Sequence, residues 1–135
     1  MDTGTGVDMA VLAEMARKAA DSAYAPYSRY KVGAALLADD GRVFTGCNIE
    51  NASYGLTNCA ERTAVFKAVS EGARCFRAIA IAGGDDEPAT PCGACRQVLA
   101  EFCGPETPVM CVALSGDAVR EYTLGELLPG VFHLR

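Results

Sequence analysis

Histidine is nearly absent from this chain, and so are the features that mark several common protein classes. The one histidine in 135 residues, His133, sits near the end and reads as a surface residue rather than a metal ligand. No apolar run reaches the length needed to span a bilayer. The start has no charged-then-apolar pattern of a secretory signal, so the expected compartment is the cytoplasm, with no membrane partner. There is no internal repeat and no low-complexity segment. Clusters of Lys and Arg are missing too: 12 basic residues are scattered among 17 acidic ones, for a net charge of −5. A sequence-independent grip on nucleic acid needs several phosphate-neutralising cations together. That balance argues against a nucleic-acid partner and for a small molecule.

Apolar residues make up 50% of the chain, enough for a real core in one domain spanning 1–135. Met1 to Gly6 reads as a floppy polar start. Cysteine is abundant and odd in number, at seven. Without an export signal, metal binding or catalysis is a better reading of these thiols than a disulfide framework.

Local patterning gives an alternating order of elements. Asp8 can cap a helix with Met9, Leu12, Met15, Ala16 and Ala19 on one face. "VGAALLA" and "RVFTGCNI" are strand-like runs around "DDG", a hairpin signal. Cys59 to Gly72 suits a helix with Ala60, Thr63, Ala64 and Ala68 turned inward and Gly72 as its stop. "FRAIAIAG" and "VMCVAL" have the length and apolarity of strands buried on both faces. Cys92 to Cys103 suits a helix between them. "VREYT" predicts a short last strand, and the spacing of Thr123 and Glu126 predicts a capping box opening a terminal helix to Leu128. Strands alternating with helices predict an α/β fold: a three-layer α/β/α sandwich around a mixed sheet.

The chemistry concentrates in "PCGACRQVL", residues 91–99. Two cysteines at this spacing can be a redox pair, part of a metal site, or two buried apolar side chains. "NCAERTAV" adds Cys59, also at a predicted helix start. Two helix starts that follow sheet strands can face one another, which would bring Cys59, Cys92 and Cys95 together. Three protein ligands leave a tetrahedral zinc one open position, the layout of a catalytic rather than a structural site. Glu61, two residues past Cys59, could serve such a site as proton carrier. Cys47, Cys75, Cys103 and Cys111 sit in or beside apolar runs with no ligand spacing, and read as core or near-surface thiols.

"CAE" followed about thirty residues later by "PCGAC" resembles the signature of the zinc-dependent nucleoside and nucleobase deaminases. "GCNIENASYGLTNCAERTA" and "LLPGVF" are similar to the cytidine deaminase branch, and the likeness runs from Tyr24 to Phe132. It implies one zinc per chain on Cys59, Cys92 and Cys95, with Glu61 moving protons. It implies a substrate site with Asn48 and Glu50 clamping the ribose, Tyr30 beside the pyrimidine where the family usually has Phe, and backbone groups of Ala60 and Glu61 reading the base. It implies a homotetramer in which Phe132 reaches a neighbour's site. Three thiolates and Zn²⁺ sum to −1, and the resemblance assigns Arg62 and Arg96 to offset that charge by donating to the sulfurs. The implied reaction is hydrolytic deamination of cytidine and deoxycytidine in pyrimidine salvage. The alternatives are a deaminase of a related nucleoside, nucleoside antibiotic or polynucleotide, a structural zinc module, and a dithiol oxidoreductase.

Overall fold

A computed structural model describes residues 8–134; the expectation for Met1 to Gly6 lies outside the described residues. The elements follow the alternating order: α1 (Met9–Ala20), β1 (Val32–Ala38), β2 (Val43–Cys47), a 3₁₀ turn (Tyr54–Leu56), α2 (Ala60–Ser70), β3 (Phe76–Gly83), α3 (Gly93–Phe102), β4 (Pro108–Val112), β5 (Val119–Thr123) and α4 (Leu124–Leu127). The strands form one mixed sheet in the order β2-β1-β3-β4-β5. Only the β3–β4 pair is parallel, because α3 carries the chain back across the sheet between them. The other pairs are antiparallel.

The local signals act as their chemistry requires. Asp8 accepts from the Ala10 N–H at 3.0 Å and caps α1. Gly41 takes φ +93° in the hairpin turn, a region open to glycine at little cost. The capping box at Thr123 and Glu126 is formed in both directions. The face of α1 differs from the reading above: Met9, Leu12, Ala13, Ala16 and Ala20 are buried, while Met15 is only partly so. Likewise α2 buries Val65, with Thr63 left partly exposed.

Alternation along the central strands divides the core in two. Ala35, Leu37, Ala78, Ala80 and Val112 face α1. Leu36, Ile79, Ile81, Val109 and Cys111 face the layer of α2, α3 and α4. The structure is the expected three-layer sandwich.

Small residues set how closely α2 approaches the sheet. A Cβ built on Gly46 would lie 2.5 Å from the Ala60 carbonyl oxygen and 2.5 Å from the Ala64 nitrogen. Both are backbone atoms and cannot swing aside. Gly46→Ala should therefore push the start of α2 off the sheet and cost about 1–3 kcal/mol, as overpacking does. Gly55, where an added Cβ meets nothing within 4 Å, is the control, with Gly55→Ala expected within about 0.5 kcal/mol of the parent. Urea titration of the two variants tests this; equal stability would remove the packing constraint.

Candidate active site

Cys59 and Cys92 are the N-cap residues of α2 and α3, and neither side chain caps its own helix. The thiols turn instead toward one another across the end of the sheet. Cys59 Sγ lies 3.9 Å from Cys92 Sγ, and Cys92 Sγ lies 3.5 Å from Cys95 Sγ. All three sulfurs fall within 4.8 Å of one another. Cys95 is buried, one turn into α3. Two helix N-termini thus direct their positive ends at one cluster of soft donors.

This donor set fits zinc. Three sulfurs at mutual distances a single tetrahedral ion can bridge are present, and among the described residues no fourth His, Cys, Asp or Glu joins the group. Arg62 lies beside it, with Nη2 donating to Cys59 Sγ at 3.2 Å. Its Nε is buried without a partner, so the guanidinium has donor capacity to spare. The thiols hold their protons unequally. A hydrogen bond from Cys95, with support from Arg62, holds Cys59 below the usual thiol range. Cys95 keeps its proton well above that range, through its bond to Cys59 and its burial.

Arg96 departs from the reading above. Its Nε donates to the Pro91 carbonyl at 2.7 Å and its Nη1 to the Leu127 carbonyl at 2.7 Å. Its hydrogen bonds thus go to the backbone around α3, where the side chain fastens the C-terminal segment, and not to a sulfur. Among the described residues outside the cluster, Arg62 alone donates to it.

Glu61 is on the first turn of α2 and only 5% exposed. Burial pushes its carboxyl up to about 7, opposed by its own backbone N–H. It lines a cleft of about 460 Å³ together with Cys59, Ala60 and Cys92. Tyr30, Asn48 and Glu50 line the same cleft. The Tyr30 hydroxyl sits 3.2 Å from where a Cβ on Gly84 would be, packing over that glycine. Phe132 is 68% exposed and does not line the cleft.

Asn48 and Glu50 are braced mainly by backbone groups. Asn48 Oδ1 accepts from the Val32 N–H at 2.9 Å, and Nδ2 donates to the Tyr30 carbonyl at 2.8 Å. Glu50 Oε1 accepts from the Tyr27 and Ser28 N–H groups at 2.9 and 3.1 Å, and Oε2 accepts from the Ser28 hydroxyl. These donors, Ser28 first, hold the Glu50 carboxyl below its ordinary range. Sequence reading missed Ser28, as it missed Tyr54, Thr57, Asn58 and Thr90 on the cleft wall. Tyr54, Thr57 and Asn58 lie within the motif stretch that leads into Cys59, and Thr90 lies two residues before Cys92; Ser28 alone of these is distant from every motif and joined to the site only through space.

The family model for the cytidine and deoxycytidylate deaminase zinc-binding region matches residues 8–112. The chain belongs to this deaminase family. It is 54% identical over 126 residues to the cytidine deaminase of Sporosarcina psychrophila, covering 93% of this chain and 92% of that one. It is 57% identical to that of Halalkalibacterium halodurans, covering 93% and 95%. The solved structure of the Burkholderia pseudomallei cytidine deaminase superimposes with a TM-score of 0.88 at 52% identity, over 93% of this chain and 100% of that one. The deaminase fold and the three-sulfur cluster therefore coincide in one molecule.

Two measurements follow from the electrostatics. Metal ligation needs thiolates, and Cys95 holds its proton tightly, so loading zinc must release protons. Affinity in chelator competition should weaken as pH falls from about 8 to about 6; a flat profile would remove the thiols as ligands. Arg62→Gln should change a metal-reporting signal, such as the charge-transfer absorption of the cobalt-substituted protein, because it removes the donor to Cys59. Arg96→Gln should leave that signal in place and lower the melting temperature. The reverse pattern would overturn the division between the two arginines.

Proposed function

We propose that this chain hydrolyses cytidine and deoxycytidine to uridine and deoxyuridine, releasing ammonia. The observation that carries the reading is the buried Glu61 carboxyl, which lines the same cleft as Cys59 and Cys92 of the three-sulfur cluster. The curated relatives named cytidine deaminase support the same substrate.

Cys59, Cys92 and Cys95 would hold one zinc ion. Bound there, zinc supplies Lewis acidity that makes a water nucleophilic near neutral pH. Glu61 handles the protons. Its carboxylate takes one from the attacking water and places it on ring N3 as the oxygen–C4 bond forms. It then moves the second proton from that oxygen to the exocyclic amine, and the C4–N bond breaks to give the keto product and ammonia. A carboxyl raised toward neutrality suits both halves of this exchange. The Arg62 cation balances the third thiolate and preserves the acidity of the metal.

The clamp selects the sugar. A carboxylate has about four acceptor positions, and three on Glu50 are filled. Asn48 Nδ2 has one N–H left. One acceptor and one donor together suit a single ribose hydroxyl, and a free base would lack it. Tyr30 forms an apolar wall for the pyrimidine, and the N–H groups opening α2 at Ala60 and Glu61 face the base edge. The exposed Phe132, and Tyr54 and Leu56 beside the cleft mouth, are the surface we assign to neighbouring copies in a homotetramer. Pyrimidine salvage in the cytoplasm is the role that fits this chemistry. Among the described residues no helix is long and apolar enough to cross a membrane.

Proton NMR of the zinc-loaded protein with cytidine should show conversion to uridine that stops on chelation. Glu61→Gln should keep one zinc per chain and lose on the order of 10²–10⁴-fold in kcat or more. Retained turnover in that variant would take Glu61 out of the reaction.

A further inference from the structure

We propose that Ser28 is the positioning residue of the sugar clamp: its hydroxyl and its backbone N–H fix the Glu50 carboxylate so that one oxygen stays open to the substrate. The inference rests on the clamp reading above and adds a residue that composition and spacing gave no reason to single out.

Ser28 is 22 residues from Glu50 in sequence, yet it supplies two of the three donors to that carboxylate, one to each oxygen. The same hydroxyl accepts from the Tyr30 N–H at 3.0 Å. A hydroxyl has one proton, and the Tyr30 contact occupies its acceptor side. Its proton is thereby directed at Glu50 Oε2. Oε1 is filled by the Tyr27 and Ser28 N–H groups. The remaining lone pair on Oε2 is the one position a substrate hydroxyl can use.

The backbone accommodates this arrangement at a cost. Arg29, between Ser28 and Tyr30, has φ +60°, and is the only residue other than glycine with positive φ among those described. A side chain in that region is unfavourable and persists where surrounding contacts over-determine it. Here those contacts are the bonds that point Ser28 and Tyr30 into the cleft, which both line. Arg29 itself is exposed. The strain thus serves the placement of its two neighbours.

The prediction separates positioning from general structural support. Ser28→Ala removes the hydroxyl and keeps the backbone donors. With cytidine, kcat/KM should fall about tenfold to a hundredfold, the size expected for a hydrogen bond to a charged group. The loss should appear in KM, with kcat within about threefold. With 2′,3′-dideoxycytidine, which has no secondary sugar hydroxyl for the clamp, the variant and the parent should agree within about twofold. Enzyme in excess of nucleoside makes slow substrates measurable. Ser28→Thr, which keeps the hydroxyl, should recover most of the loss. Zinc content should match the parent, and the melting temperature should fall by no more than about 4–8 °C, the size expected for about 1 kcal/mol, since the hydroxyl is one of several contacts that hold this loop.

An equal fall on both nucleosides, or a fall in kcat alone, would make Ser28 a structural residue and overturn the proposal. An unchanged KM for cytidine would also overturn it. Should Ser28→Ala not fold, Ser28→Cys carries the same comparison with a weak donor in place of the hydroxyl, and the same split between substrates decides. If the zinc-loaded parent converts neither nucleoside, the deaminase reading falls first and takes the clamp with it. A parent active on both with no substrate-dependent effect of Ser28 would sink the positioning role alone.

Discussion

Three sulfurs held within 4.8 Å of one another are a problem in electrostatics before they are a metal site. Three thiolates repel, so the cluster survives only by sharing protons or by gaining positive charge. The fold provides the charge in two forms: the N-terminal ends of α2 and α3, and the Arg62 guanidinium at 3.2 Å from Cys59. Each depends on how the helices rest on the sheet. Gly46 lets α2 sit against β2, and alanines along α2 keep that contact shallow. The parallel β3–β4 pair sets α3 beside α2 on the same face. The central sheet is therefore less a scaffold in general than the device that aligns two helix starts.

Much of this was legible before any coordinates, because the signals are local. The Asp8 cap, the hairpin around Asp39 to Gly41, the capping box at Thr123 and the buried apolar strands all act over a few residues. So does the placing of Cys59 and Cys92 at helix starts. What escaped was long-range. The inward face of α1 differs from the periodic guess because the sheet, and not helix symmetry, decides whether Met15 or Ala13 is covered. Arg96 looks like Arg62 in sequence, each following a ligand cysteine motif. Yet Arg62 is three residues past Cys59 and turns back over it, whereas Arg96 finds the Pro91 and Leu127 carbonyls closer to hand. Ser28 gave no signal, since its partner is 22 residues away.

The lining of the cleft also bears on what it admits. Its residues include two carboxylates, Glu50 and Glu61, and no Lys, Arg or His. A phosphate group brought there would meet the Glu50 carboxylate with no Lys, Arg or His of the described lining to offset it. The family model spans nucleoside and nucleotide deaminases. The described lining of this cleft favours a substrate that carries no phosphate. The chain's overall charge of −5 points the same way at longer range.

The C-terminal segment and α1 are tied to the sulfur cluster unequally. Arg96 ties the Leu127 carbonyl to the helix that bears two of the sulfurs, and Gln97 ties the Phe132 carbonyl to the same helix at 3.0 Å. The C-terminal segment is thus a strap buckled to the helix that carries Cys92 and Cys95. α1, by contrast, lies on the opposite face of the sheet. Any change in how residues 127–132 lie is therefore passed to α3, and so to Cys92 and Cys95, by two hydrogen bonds.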